Sequence, residues 1–147
     1  MTTFQRFSIF ILRVALGFLM FYAGITKVTN SSWSAAGYIK GAKILTPFYN
    51  FLLSPSVLPV IDFLNEWGLT LLGISLIFGI FVRLSSVLGI ILMTLYYLPI
   101  LKFPYVGDHS YLVDEHIIYS LAMALLFAFN AGKIFIGIDA WIPRFRK

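Results

Sequence analysis

Asp114, Glu115 and His116 stand in a row at the head of an apolar run that extends to Asn130. Ionisable groups at bilayer depth need a partner, a proton or a water-filled cavity, which makes them functional-site candidates. A histidine beside two carboxylates has its charge state tuned by them, and a carboxylate withdrawn from water holds its proton more tightly. Such a group can carry protons. Glu66 in an earlier apolar run completes a candidate acid–base (catalytic) set of Glu66, Glu115 and His116. Tyr22, Lys27, Trp67, Tyr96, Tyr97 and Tyr119 are the candidate walls and binding groups of an adjoining slot. Reduction of a quinone moves protons with its electrons, so its site needs acid–base groups at the mouth of an aromatic-lined apolar cavity.

Each of these residues also has a structural role available to it. Asp114 suits N-terminal capping and dipole compensation of the following helix. Lys27 and Arg13 can snorkel to opposite head-group layers, and Glu66 can pair with a basic residue of the first helix. Tyr96 and Tyr97 suit an interfacial aromatic belt. Glu66, His109, Asp114, Glu115 and His116 offer metal-ligating atoms, but consecutive helical positions point in different directions. No i, i+4 His pair or Glu-x-x-His spacing occurs, so no metal is expected. Phosphate loops, nucleophile elbows and dinucleotide fingerprints are absent from the sequence.

The elements that must position these groups follow from composition. Of 147 residues, 60% are hydrophobic and 12% charged, and the mean hydropathy is +0.91. These values describe an integral membrane protein rather than a soluble domain. The chain contains no cysteine, which removes thiol redox chemistry, disulfides and thiolate-held metals, so electron transfer would need an organic cofactor or a partner. The net charge of +5 owes much to the terminal Arg144, Arg146 and Lys147. Such a tail sits on an anionic leaflet, and nucleic acid is not an expected partner.

The fold expected is all-α, a polytopic bundle of four transmembrane helices at about 7–28, 60–82, 86–101 and 111–130, in one domain spanning 1–147. The first run is too long for a signal h-region and reads as a retained helix. Its Arg13, Gly17, Met20, Gly24 and Lys27 share one face, with small residues placed for close helix approach. Between the first two crossings, at about 31–55, Trp33, Tyr38 and Tyr49 recur with Lys40 and Lys43 in an interfacial segment of short helices. Pro47, Pro55 and Pro59 prevent a fifth crossing there. Residues 83–85 form a tight hairpin, 102–110 a polar loop, and Gly137 to Ile142, with Trp141, a surface anchor.

Charge bias sets the orientation. Arg6, Arg83, Lys133, Arg144, Arg146 and Lys147 fall on one side and Lys27, Lys40, Lys43 and Lys102 on the other, which favours both termini in the cytoplasm of an inner (cytoplasmic) membrane protein. Lys27, Glu66, the Tyr96–Tyr97 pair and the 114–116 cluster then meet at outer-leaflet depth. Arg13, Arg83 and Asp139 lie toward the inner side.

Several stretches resemble DoxX-like membrane proteins, a group that includes DoxD-like chains. They are Leu12 to Gly17 with Ala23 to Lys27, Asn65 to Gly68 through Gly73 and Gly79 to Arg83, Asp114 to His116, and Ala131 to Lys133 with Gly137 to Asp139. The resemblance implies a four-helix membrane bundle related to the DoxD subunit of thiosulfate:quinone oxidoreductase. The function expected is that of a quinone-facing oxidoreductase subunit, passing electrons from a small reduced sulfur compound or a partner redox subunit to the quinone pool. A non-catalytic scaffold of a redox complex, homo-oligomeric or with a partner, is the alternative. A small proton-coupled transporter ranks last, because neither broken helices nor inverted repeats are visible.

Overall fold

A computed structural model describes residues 1–106, 110–134 and 137–140. His109, Trp141 and the basic tail Arg144, Arg146 and Lys147 lie outside the described residues. The chain is mostly helical: α1 (Thr3–Val28), α2 (Ala36–Lys40), α3 (Thr46–Leu52), α4 (Leu58–Phe78), α5 (Val82–Ile100) and α6 (Glu115–Ala128), followed by two 3-10 turns at Ala131–Lys133 and Ile138–Ala140. Helices α1, α4 and α5 are each long and apolar enough to cross a membrane.

Helix α1 begins with a reciprocal cap: Thr2 Oγ1 accepts from the Gln5 amide at 3.2 Å while Gln5 Oε1 accepts from the Thr2 amide at 2.8 Å. Its small-residue stripe packs antiparallel on α4. A Cβ at Gly17 would lie 2.8 Å from the Ile77 nitrogen, and Cβ atoms at Gly24 and Gly73 would fall on the backbones of Thr70 and Phe21. Lipid tails are as apolar as leucine, so close backbone approach, rather than water exclusion, holds such a pair together. Arg13, Gly17, Met20 and Gly24 are buried as the spacing predicts.

Helix α4 ends at Gly79, whose φ of 69° lets the chain reverse, and α5 starts at Val82 after Phe81, also left-handed at 52°. The hairpin therefore lies at 79–81, slightly earlier than the expected 83–85. Helix α6 packs antiparallel on α5, with Met123 over Gly89 and Arg83 over the Phe127 ring at 4.6 Å. Core side chains include Met20, Leu69, Leu76, Met123 and Leu126.

The mostly helical class holds, with one local addition and one corrected boundary. Within the expected polar loop after α5, Leu101–Lys102, Tyr105–Val106 and Ser110–Tyr111 form β1, β2 and β3 of a small antiparallel sheet. Chain pairing there, together with Leu112 at φ 56°, delays the last helix from 111 to Glu115. Its 14 residues measure roughly 21 Å, against about 30 Å of hydrocarbon. The segment at 31–55 holds two short helices, α2 and α3, with the first starting at Ala36 beyond the Asn30 turn.

Candidate functional site

At the end of the bundle where α1 and α5 finish and α4 and α6 begin, a cavity of about 460 Å³ opens between the helices and the α2–α3 segment. Lys27 of α1, Asn65 of α4, Tyr96 of α5 and His116 of α6 all line it, together with Trp33 and Tyr38 from the covering segment. Tyr96 is the hub. Lys27 Nζ lies 5.4 Å from its ring centroid and 4.8 Å from that of Trp33, which stabilises the ammonium by cation–π attraction. The His116 ring meets Tyr96 edge-on at 5.9 Å, and Tyr38 does so at the same separation. The Tyr96 hydroxyl donates to Asn65 Oδ1, and Asn65 Nδ2 donates to the Ile61 carbonyl at 3.0 Å.

Asp114 orients His116. Its Oδ1 accepts from the amides of His116 (3.1 Å) and Ile117 (3.3 Å), so it caps α6, and its Oδ2 lies 2.5 Å from His116 Nδ1. With Nδ1–H held by the carboxylate, Nε2 is the ring atom left to exchange a proton.

The covering segment is fastened by tyrosines. Pro99 has no amide hydrogen, so the Leu95 carbonyl one turn earlier lacks its helical donor, and the Tyr49 hydroxyl donates to it at 3.1 Å. Tyr38 donates to the Tyr96 carbonyl at 2.5 Å, the Lys43 amide to the Pro99 carbonyl at 3.3 Å, and the Ala35 amide to Asp62 Oδ1 at 2.8 Å. Withdrawal of its hydroxyl end from water, assisted by the negative charge of Asp114, pushes the Tyr38 phenol up to about 12. Burial likewise raises that of Tyr49.

Of the residues expected at the site, Lys27, Tyr96 and His116 come together on this cavity. The others do not line it. Successive helical residues point about 100° apart, so Glu66 and Trp67 turn progressively away from the wall that Asn65 faces. Trp67 is 41% exposed and leans on Phe63, while Glu66 acts on Lys27 as an attractive charge without an ion pair. Tyr22 is 63% exposed on the outer side of α1. Tyr97 points past the cavity and donates to the Leu112 carbonyl at 2.7 Å. Glu115 is exposed and interacts with Tyr119 one turn on, and Tyr119 packs on the helical core. Among the described residues no three His, Asp or Glu side chains converge as metal ligands.

Asn65, Tyr49 and Asp62 were not among the expected site residues. The signal for Tyr49 was Pro99, a proline inside an apolar helix that leaves a carbonyl in want of a donor.

A second polar cluster lies some 14 residues down α1, roughly 21 Å away. Arg13 is 0% exposed and donates from Nη1 to the Ala131 carbonyl at 3.0 Å. Buried Asp139 accepts from the amides of Phe81 (2.8 Å) and Val82 (3.1 Å), capping α5 from 57 residues away, and its own amide donates to the Gly79 carbonyl at 3.0 Å. Gly79, Gly132 and Gly137 make room: a Cβ at any of them would collide with Arg13, Asp139 or neighbouring backbone.

Apolar helices with lipid-facing side chains such as Phe18, Leu71, Leu88 and Leu121, arranged around buried polar clusters, define a multi-pass helical membrane protein. The DoxX family model matches residues 8–99, from α1 almost to the end of α5. The chain belongs to the DoxX family. The match stops before Asp114–His116 and the Ala131–Asp139 stretch, so those parts rest on the structure. No curated protein and no solved structure matches the chain.

Proposed function

We propose that the chain is the quinone-facing subunit of an inner-membrane oxidoreductase, holding a quinone head group in the Tyr96 cavity. The observation that carries this reading is the convergence of Lys27, Tyr96 and His116, from three different helices, on one aromatic-lined space. The fit is favourable. About 460 Å³ lies in the range of small-ligand sites, the walls are apolar and aromatic, and the polar groups are few and convergent. Lys27 and His116 supply donors suited to carbonyl oxygens, and the Tyr96 hydroxyl is already engaged by Asn65. A bound quinone would supply the acceptor for two electrons and two protons.

The chain's own part is proton handling and orientation. His116 gives a proton from Nε2 while Asp114 stabilises the charge on the ring through Nδ1, and water beyond the 2.5 Å pair replenishes it. Without cysteine, the chain offers no thiolate-held centre, so electrons reach the head group directly from a small reduced sulfur compound or from a partner subunit. Glu66 and Glu115 leave the proposed acid–base set, because neither lines the cavity.

The same reading includes four crossings. Helix α6 and the turn after it run beside α5 from the level of Tyr96 to that of Arg83, which supports a fourth membrane passage completed by flanking residues. In this reading the charge bias favours the Tyr96 cavity outside and the Arg13–Asp139 cluster inside, with both termini cytoplasmic.

Solvent extraction and mass spectrometry of gently purified protein test the proposal. About one quinone per chain is expected, with loss in Lys27→Met and retention in Glu115→Gln. Quinone at the level of an unrelated four-helix membrane protein would overturn it and leave the scaffold role.

A further inference from the structure

Helices α4 and α5 are joined by a short turn, yet each packs mainly on another helix, α4 on α1 and α5 on α6. Between them runs an apolar groove of about 490 Å³. Its walls are hydrocarbon: Leu71, Leu84, Leu88 and Ile91 flank it. Its two serines offer the groove little polarity, since Ser75 Oγ contacts both the Ile80 carbonyl and Ser85 Oγ.

Leu64, Leu92 and Leu95 line both this groove and the Tyr96 cavity, so the two spaces adjoin across these three side chains. We infer that the groove takes the isoprenoid tail of a long-chain quinone, which enters sideways from the bilayer between α4 and α5. The inference rests on the proposed head-group site.

Length favours this occupant over a phospholipid chain. From Leu95 to Phe81 the groove follows α5 for 14 residues, roughly 21 Å, whereas one leaflet's share of the hydrocarbon is only about 15 Å. A chain anchored by its head at the cavity and lying along the whole groove passes the midplane, as a polyisoprenoid can. Gly68 lines the groove beside open space. A Cβ there would meet no atom within 4 Å, so packing does not demand glycine, although glycine is unfavourable inside a helix.

The test uses the full chain in detergent, titrated with one quinone head group in two forms, tail-less and polyisoprenylated, and binding is read by quenching of Trp33 fluorescence with Trp67 and Trp141 changed to Phe. Wild type should bind the tailed form at least about tenfold more tightly, the advantage coming from close packing of the tail in the groove relative to the micelle. Gly68→Phe should erase most of that advantage and leave tail-less binding unchanged, and Leu88→Phe should do the same from the facing helix. Equal weakening of both forms, or no effect on either, would overturn the tail path while the head-group site stands. Failure of wild type to bind either form would overturn both. A change only in retained phospholipid or in oligomeric state would assign the groove to an acyl chain or a second copy, and overturn the inference.

Discussion

The Tyr49 hydroxyl donates to the Leu95 carbonyl at 3.1 Å, filling the position that the Pro99 nitrogen cannot. A proline in an apolar helix thus becomes the fastening point of a distant segment: α3 closes over the end of α5 because that carbonyl is available. Tyr49 is 2% exposed, so the bond is sheltered from competing water.

Tyr49→Phe should cost about 1 kcal/mol, the usual net value of a hydrogen bond plus part of an orphaned acceptor. Pro99→Ala restores the helical donor, so the same tyrosine change should cost less in that background. A double-mutant cycle followed by chemical unfolding in micelles measures the difference, and strict additivity would refute the link.

Asp139→Ala should be strongly destabilising, by roughly 3–5 kcal/mol, because it strands the Phe81 and Val82 amides and removes the counter-charge facing buried Arg13. Asp139→Asn keeps an acceptor and should cost less. Thermal unfolding of the two variants ranks them.

Gly24→Ala and Gly73→Ala should each destabilise by about 1–3 kcal/mol, since the added carbon meets facing backbone that cannot rotate away. Gly37→Ala, where nothing lies within 4 Å, should be neutral within about 0.5 kcal/mol. Comparable losses at all three positions would contradict the close α1–α4 contact.

The Tyr38 phenol should be among the last to ionise, at about 12. The fold favours its neutral form, so this contribution is complete below about pH 10, where the unfolded phenol titrates, and is lost as pH rises from there through the folded value. Ultraviolet titration of tyrosinate should show a late step that Tyr38→Phe removes.

His116→Gln should lower quinone reduction by about 10²-fold while quinone stays bound, which separates proton delivery from binding. Asp114→Asn keeps the α6 cap and should alter the pH profile of the rate more than stability. Asp114→Ala should also cost about 1 kcal/mol of helix stability. Single-turnover kinetics beside unfolding curves resolves the two.

Much of the helical layout was legible in order of residues. The 3.6-residue period placed Arg13, Gly17, Met20, Gly24 and Lys27 on one face, and the structure buries the first four and turns the fifth into the cavity. Neighbouring candidates part in direction even where they adjoin in sequence. Glu66 and Trp67 adjoin Asn65, and Glu115 adjoins His116, but a helix turns about 100° per residue and carries them off the wall. The start of α6 was misplaced because strand pairing at Ser110–Tyr111, a non-local event, competed with an apolar helical pattern.

The sequence by itself determined that this is a membrane protein built of apolar helices, and which stripe of α1 would meet another helix, because hydropathy and periodicity are local properties that lipid reads directly. Only the tertiary structure decided that α1 pairs with α4 and α5 with α6, that Asp139 caps a helix 57 residues away, and that Lys27, Asn65, Tyr96 and His116 enclose one cavity. Those facts depend on which backbone groups lack partners and on where a missing Cβ lets chains approach. Such vacancies are filled across the fold, by residues whose sequence positions bear no fixed relation to them.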